Sequence, residues 1–148
     1  RRHPEVALLF PVHLNPNVRA AVAETLDAGE RVILTDPLPY DQFLSILRRA
    51  YLLVTDSGGI QEEAAALGKP VLVVRDTTER MESVRTGTSK LVGRRREDVT
   101  AALERLLADD AEYQRMASAP CPYGDGRAAE RIVAILRDRW QAAARIRA

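Results

Sequence analysis

The feature that most constrains this chain is an alternation of short, continuous apolar runs with helical stretches. Residues 6–12 (VALLFPV), 32–35, 51–55 (YLLVT) and 71–74 are of strand length, aliphatic or β-branched, and bounded by Asp, Gly or Pro. A run that is apolar on both sides suits a parallel strand covered by helices on both faces. Between these runs, residues 18–26, 41–50 and 60–67 read as helices, with Asn17 capping the first and Gly29 and Gly68 stopping two of them. Strand and helix alternating in steps of about 20 residues imply right-handed βαβ units and a parallel sheet. A fifth short strand is expected at residues 90–92, after a loop over residues 76–88. Beyond Gly93 the pattern turns helical, with helices expected at 98–107, at 112–117 and from about Arg127 towards Arg147, the last after the breaker 120–126. The fold class is therefore α/β, a Rossmann-like doubly wound parallel sheet. The chain opens almost directly into a strand and holds fewer strands than such a domain normally has, so it is expected to be incomplete at its front.

Charge and composition exclude several classes of function. The 148 residues carry 22 Lys plus Arg against 21 Asp plus Glu, a net charge of +1. That balance argues against a nucleic-acid partner and against a polybasic membrane anchor. A single cysteine, Cys121, rules out an internal disulfide framework and a cysteine-rich zinc site, and two histidines argue against a histidine metal centre. No apolar run approaches the ~20 residues needed to cross a bilayer, and Arg1-Arg2-His3-Pro4 does not read as a signal peptide. A soluble, cytoplasmic protein is expected, with no metal and no cofactor.

The strongest local signal is residues 55–63, TDSGGIQEE, where a strand feeds directly into a helix. In open α/β sheets ligands bind at the carboxyl ends of strands. The N–H groups and dipole of a helix N-terminus attract phosphate there, and Gly58 and Gly59 let it approach the backbone. Glu63, about one turn into the helix, is placed to reach sugar hydroxyls. The competing reading is a tight turn with Ser57 as an ordinary helix cap. Arg80, in the segment 75–80 (RDTTER), leaves the next strand end and faces either the same phosphate or a solvated, internally paired charge cluster. His13, in 11–17 (PVHLNPN), is either a donor to phosphate or sugar or a loop residue. Phe43 is either a ring that stacks on a base or a core residue. Cys121 has no base beside it and Arg94-Arg95-Arg96 reads as surface, while Trp140 covers an apolar patch or docks against a missing partner.

Taken together and in this order, PVHLNPN, TDSGGIQEE, GKPV (68–71), RDTTER and PYGDG (122–126) resemble the non-hydrolysing UDP-N-acetylglucosamine 2-epimerases. The resemblance implies one half of a two-domain GT-B-type fold. Residues 1–136 would form a C-terminal UDP-binding Rossmann-like domain and 137–148 a helical extension. It implies that Ser57, Gly58 and Gly59 bind the diphosphate, Glu63 the ribose, and Arg80 the phosphates, with Phe43 near the uracil. His13 resembles a histidine that helps to bind a second, activating UDP-N-acetylglucosamine. Met81 stands where the family commonly has proline, Cys121 where it has asparagine, and Leu38 where it often has a polar residue.

The function implied is interconversion of UDP-N-acetylglucosamine and UDP-N-acetylmannosamine for bacterial cell-surface polysaccharide. In the family mechanism C2 loses its proton, UDP is eliminated to leave 2-acetamidoglucal, and UDP returns with reprotonation on the opposite face. The family's acid and base lie in the N-terminal domain, so no catalytic residue is expected in this chain. It is expected to bind UDP, to be inactive alone, and to need the missing N-terminal domain, with a homodimer as the full-length state. The rivals are a GT-B glycosyltransferase donor domain, a hydrolysing epimerase and a non-enzymatic UDP-sugar-binding module.

Overall fold

The computed structural model describes residues 3–26 and 29–146, with side chains described as far as Gln141. The outer end of the last expected helix, at Arg147, lies outside the described residues. Five strands and seven helices follow one another in the described chain: β1 (Leu8–Pro11), α1 (Pro16–Thr25), β2 (Val32–Thr35), α2 (Tyr40–Arg49), β3 (Leu53–Thr55), α3 (Gly58–Ala66), β4 (Val71–Val73), α4 (Met81–Thr86), β5 (Ser89–Leu91), α5 (Arg96–Ala108), α6 (Asp110–Ala117) and α7 (Ala128–Ile146). Every ladder between these strands is parallel, as continuous apolar runs require. Hydrogen bonding divides the strands into two ladders, β1-β2 and β3-β4-β5. The chain likewise divides into two compact units, residues 1–46 and 47–148.

In the first unit β1 and β2 pair from Leu8 with Val32 to Pro11 with Thr35. The cap of α1 is Asn15, whose side chain accepts from the Asn17 N–H at 2.9 Å, so Asn17 is not the cap expected from sequence. Asn15 takes that role because Pro16 has no N–H to donate and its fixed φ suits the first helical position. Gly29 is not the stop of α1 either: Leu26, in extended conformation, ends it.

In the second unit β4 is central and wholly buried, between β3 and β5. Its alternate residues face opposite ways, and each side meets helices. Val71 and Val73 pack with Ala64 of α3, while Leu72 packs with Leu106 of α5 and Met116 of α6. Helices thus cover both faces of this sheet, which is the doubly wound arrangement. Gly68 ends α3 in the left-handed conformation (φ 62°). Its N–H donates to Ala65 O, and that of Lys69 to Ala64 O, so two orphan carbonyls of the last turn are satisfied. The loop expected over residues 76–88 contains α4, which Gly87 ends in the same way at φ 94°. Helix α7 passes without a break through position 136, where the sequence suggested an extension begins.

Candidate functional site

Strand β3 ends at Thr55 and α3 begins at Gly58, so Asp56 and Ser57 are the whole connection. Gly58 and Gly59 are the first two helical residues rather than the turn itself. Ser57 holds the N-cap position in extended conformation, but its side chain makes no capping hydrogen bond. Its own N–H donates to Thr55 Oγ1 at 3.1 Å. Ser57 is thus the helix cap by position, but not by a hydrogen bond from its side chain. The first N–H groups of α3, at Gly58 and Gly59, and the positive end of its dipole stand without a hydroxyl cap from Ser57.

The two glycines are not there for their backbone freedom. Positive φ occurs at Gly68, Gly87, Gly93, Gly124 and Gly126, and at neither Gly58 nor Gly59. What remains is space. A Cβ at Gly58 would run into the Glu79 carboxylate, with Arg80 Cγ next at 3.8 Å. A Cβ at Gly59 would meet only Ser57 Oγ, at an ordinary 3.9 Å. Among the described residues, then, nothing crowds position 59, where alanine would favour the helix more than glycine does.

The loop after β4 lies against this turn. Arg80 is ion-paired with Glu62 of α3, and Arg75 Nη1 with Glu79 Oε2 at 2.9 Å. Arg80 thus belongs to a paired charge cluster, and its side chain sits beside Gly58. The Glu79 carboxyl is held below the ordinary range chiefly by its own backbone N–H; burial opposes this, and Arg75 and Arg80 add to the lowering. Glu63 lies next to Glu62, half-buried, in the first turns of α3. Ser57, Gly58, Gly59 and Arg80 are therefore brought together, with Glu63 on the same short helix.

Sequence reasoning missed the polar groups beneath this surface. Gln61 is 0% exposed, its Nε2 donating to Ser57 O at 3.1 Å and its Oε1 accepting from Thr78 Oγ1 at 3.0 Å. Thr78 Oγ1 accepts from the Arg80 N–H at 3.1 Å, and Ser83 Oγ donates to the Arg80 carbonyl at 3.0 Å. The available signal was Gln61 itself, a polar residue on the same face as Ala64 and Ala65, the buried side of α3.

His13 and Phe43 belong to the first unit. His13 is exposed, and its Nδ1 accepts from the Asn15 N–H at 3.1 Å. Phe43 is half-buried early in α2, where its N–H donates to Pro39 O at 2.9 Å. Met81 is the first residue of α4, the helical position at which proline is best tolerated, so proline and methionine are both compatible with this loop. Gly124 and Gly126 hold positive φ, and Asp125 between them takes two hydrogen bonds from the Arg131 guanidinium, at 2.8 and 2.7 Å. Helix α7 exposes Ile132, Val133, Ile135, Leu136 and Trp140, the last 79% exposed. Among the described residues no group of three or more His, Cys, Asp or Glu is arranged to hold a metal, and no helix is long and apolar enough to cross a membrane.

The family model described as UDP-N-acetylglucosamine 2-epimerase matches residues 1–137. The chain is 51% identical over 138 residues to the UDP-N-acetylglucosamine 2-epimerase of Yersinia pestis, covering 93% of this chain and 37% of that protein. It is 51% identical over 136 residues to that of Escherichia coli K12, covering 92% and 36%. Among solved structures, the Neisseria meningitidis UDP-GlcNAc 2-epimerase bound to UDP-GlcNAc superposes with a TM-score of 0.84 at 42% identity, covering 93% of this chain and 37% of that one. The S. aureus MnaA–UDP co-structure does so with a TM-score of 0.82 at 45% identity, covering 86% and 35%. The architecture is thus α/β and Rossmann-like, part of a GT-B-type fold, and the chain spans little more than a third of the curated relatives it matches. This chain belongs to the UDP-N-acetylglucosamine 2-epimerase family.

Proposed function

We propose that this chain is the UDP-binding part of a non-hydrolysing UDP-N-acetylglucosamine 2-epimerase, which interconverts UDP-N-acetylglucosamine and UDP-N-acetylmannosamine. One observation carries the reading: among the described residues nothing crowds Gly59 and its φ is not positive, yet glycine stands there, in the first turn of a helix that the Ser57 side chain does not cap and next to Gly58, which Arg80 adjoins. A diphosphate supplies the reason. Its oxygens accept from the N–H groups at Gly58 and Gly59, beside Ser57, only if no side chain blocks their approach, and the Arg80 guanidinium adds a charge-assisted contact. Glu63 binds the ribose hydroxyls, and Phe43 lies at the uracil.

Epimerisation through elimination requires UDP to be held after its bond to the sugar breaks. Donors fixed before that moment stabilise the departing diphosphate without reorganisation. This chain supplies that holding function. The acid and base that move the C2 proton belong to the part of the enzyme outside these residues, as does the surface that covers the apolar row of α7 with Trp140. Residues 1–136 form the UDP-binding domain and 137–148 a helical extension in this scheme. His13 contacts a second, activating UDP-N-acetylglucosamine, the whole enzyme is a cytoplasmic homodimer, and it needs no cofactor or metal.

The test is titration calorimetry of this chain with UDP and with pyrophosphate. Arg80→Ala should weaken both, by about 1.5–3 kcal/mol for UDP, the range for a hydrogen bond to a charged group. Glu63→Gln should weaken UDP and leave pyrophosphate unchanged. Equal losses for both ligands on Glu63→Gln would remove the ribose assignment, and detectable epimerisation by this chain alone would show that it holds the acid and base.

A further inference from the structure

We infer that Gln61, Thr78 and Ser83 are positioning residues that set the Arg80 guanidinium and the Ser57 turn relative to one another; this rests on the UDP-binding reading above. The three side chains are 0%, 8% and 0% exposed, so their polar groups must be satisfied inside the protein. They form one continuous path from Ser57 O through Gln61, Thr78 and the backbone of Arg80 to Ser83.

The direction of every bond in that path is fixed by its first member. The Ser57 carbonyl can only accept, so the Gln61 amide must turn its Nε2 towards it, leaving Oε1 for Thr78. Oε1 also can only accept, so the Thr78 hydroxyl must donate to it. The lone pairs of that oxygen then remain for the Arg80 N–H, while the Ser83 hydroxyl occupies the Arg80 carbonyl. Both backbone polar groups of Arg80 are thereby held by buried hydroxyls, one of them tied through Gln61 to the turn that α3 springs from. This matters because Arg80 itself sits outside regular structure, at φ −102° and ψ 51°, as the residue before α4. Its side chain is about one-third exposed and is ion-paired with Glu62. Beside the Arg80–Glu62 ion pair and the packing of Glu79 and Arg80 against Gly58, which act through side chains, this path is what holds the backbone of Arg80 to the turn among the described contacts. A binding group displaced by even about 1 Å loses much of its effect on a ligand held elsewhere.

The experiment measures UDP binding to the 148-residue chain by calorimetry, with thermal melting of each variant as a folding check. Thr78→Val keeps the shape and removes the hydroxyl; it should weaken UDP about tenfold. Thr78→Ser restores the hydroxyl and should restore affinity. The doubly substituted chain, T78V with R80A, should bind UDP no more weakly than R80A alone, because Thr78 acts through Arg80. Should T78V not fold, Ser83→Ala carries the same comparison against R80A. UDP affinity that drops in R80A but is unchanged in T78V, or losses that simply add in the double variant, would overturn the positioning role while leaving the UDP reading intact. A wild-type chain that does not bind UDP would overturn both.

Discussion

Replacing Gly59 by alanine separates stability from binding in opposite directions. Gly59 is the second residue of α3, its φ is not positive, and an added methyl group meets only Ser57 Oγ at 3.9 Å. The helix therefore gains. Gly to Ala at a compatible position stabilises by about 0.4–1 kcal/mol, chiefly by narrowing the unfolded ensemble. For a chain of this size that corresponds to a melting temperature higher by roughly 1–4 °C. A methyl group on the N-terminal surface of α3, however, stands between the backbone N–H groups and an incoming phosphate. Loss of one or two such charge-assisted bonds costs about 1.5–3 kcal/mol each, so UDP should bind at least tenfold more weakly. Circular dichroism melting and calorimetry on the same preparation read both effects. Gly58→Ala is the contrasting control, since its methyl must first displace the Glu79 carboxylate and the stability gain should shrink or vanish. A Gly59→Ala chain that melts lower than wild type, or binds UDP equally well, would refute the argument that ligand approach keeps this position glycine.

Other outcomes follow from the packing. Leu72→Ala opens a cavity between β4 and helices α5 and α6, where Leu72 is 0% exposed, and should cost about 2–5 kcal/mol by denaturant titration. Trp140→Ser should leave the melting temperature of this chain unchanged, because the ring is 79% exposed, yet should impair assembly with the rest of the enzyme when both parts are co-expressed. Glu112 is held below the ordinary carboxylate range chiefly by its hydrogen bond from Arg115. A lowered folded value means stabilisation present above the ordinary glutamate range and lost as pH falls through the folded value. Glu112→Gln should therefore make stability less steeply dependent on pH below about 4.3, as measured by urea titration at successive pH values.

Much of the architecture was legible because parallel strands covered on both faces leave uninterrupted apolar runs. All five strands lie at or within a residue of the runs that announced them. Helix α4 escaped because six residues, MESVRT, are too few to show a period, and its buried member is Ser83 rather than an apolar residue. The cap of α1 was misplaced by two residues because Asn15 and Asn17 are equally good acceptors by type, and only the geometry around Pro16 decides between them. At the site, the residue types at Ser57–Gly59 and Arg80 could be read from order and from resemblance. The link between them could not, since Gln61 and Thr78 are 17 residues apart and meet only after β4 has crossed beside β3. Gly58 and Gly59 open the helix without positive φ, which points to space rather than backbone conformation as their reason.

The central claim is that this chain recognises the nucleotide half of the nucleotide sugar. In the proposed reading the groups address phosphate, ribose and base: the N–H groups at Gly58 and Gly59 beside Ser57, the Arg80 cation, the Glu63 carboxylate and the Phe43 ring. None is assigned to the acetamido group. Calorimetric titration of the 148-residue chain with UDP and with UDP-N-acetylglucosamine, side by side, tests this most directly. The account predicts nearly equal affinities; binding of UDP-N-acetylglucosamine about tenfold or more tightly than UDP, a difference of about 1.4 kcal/mol, would contradict it.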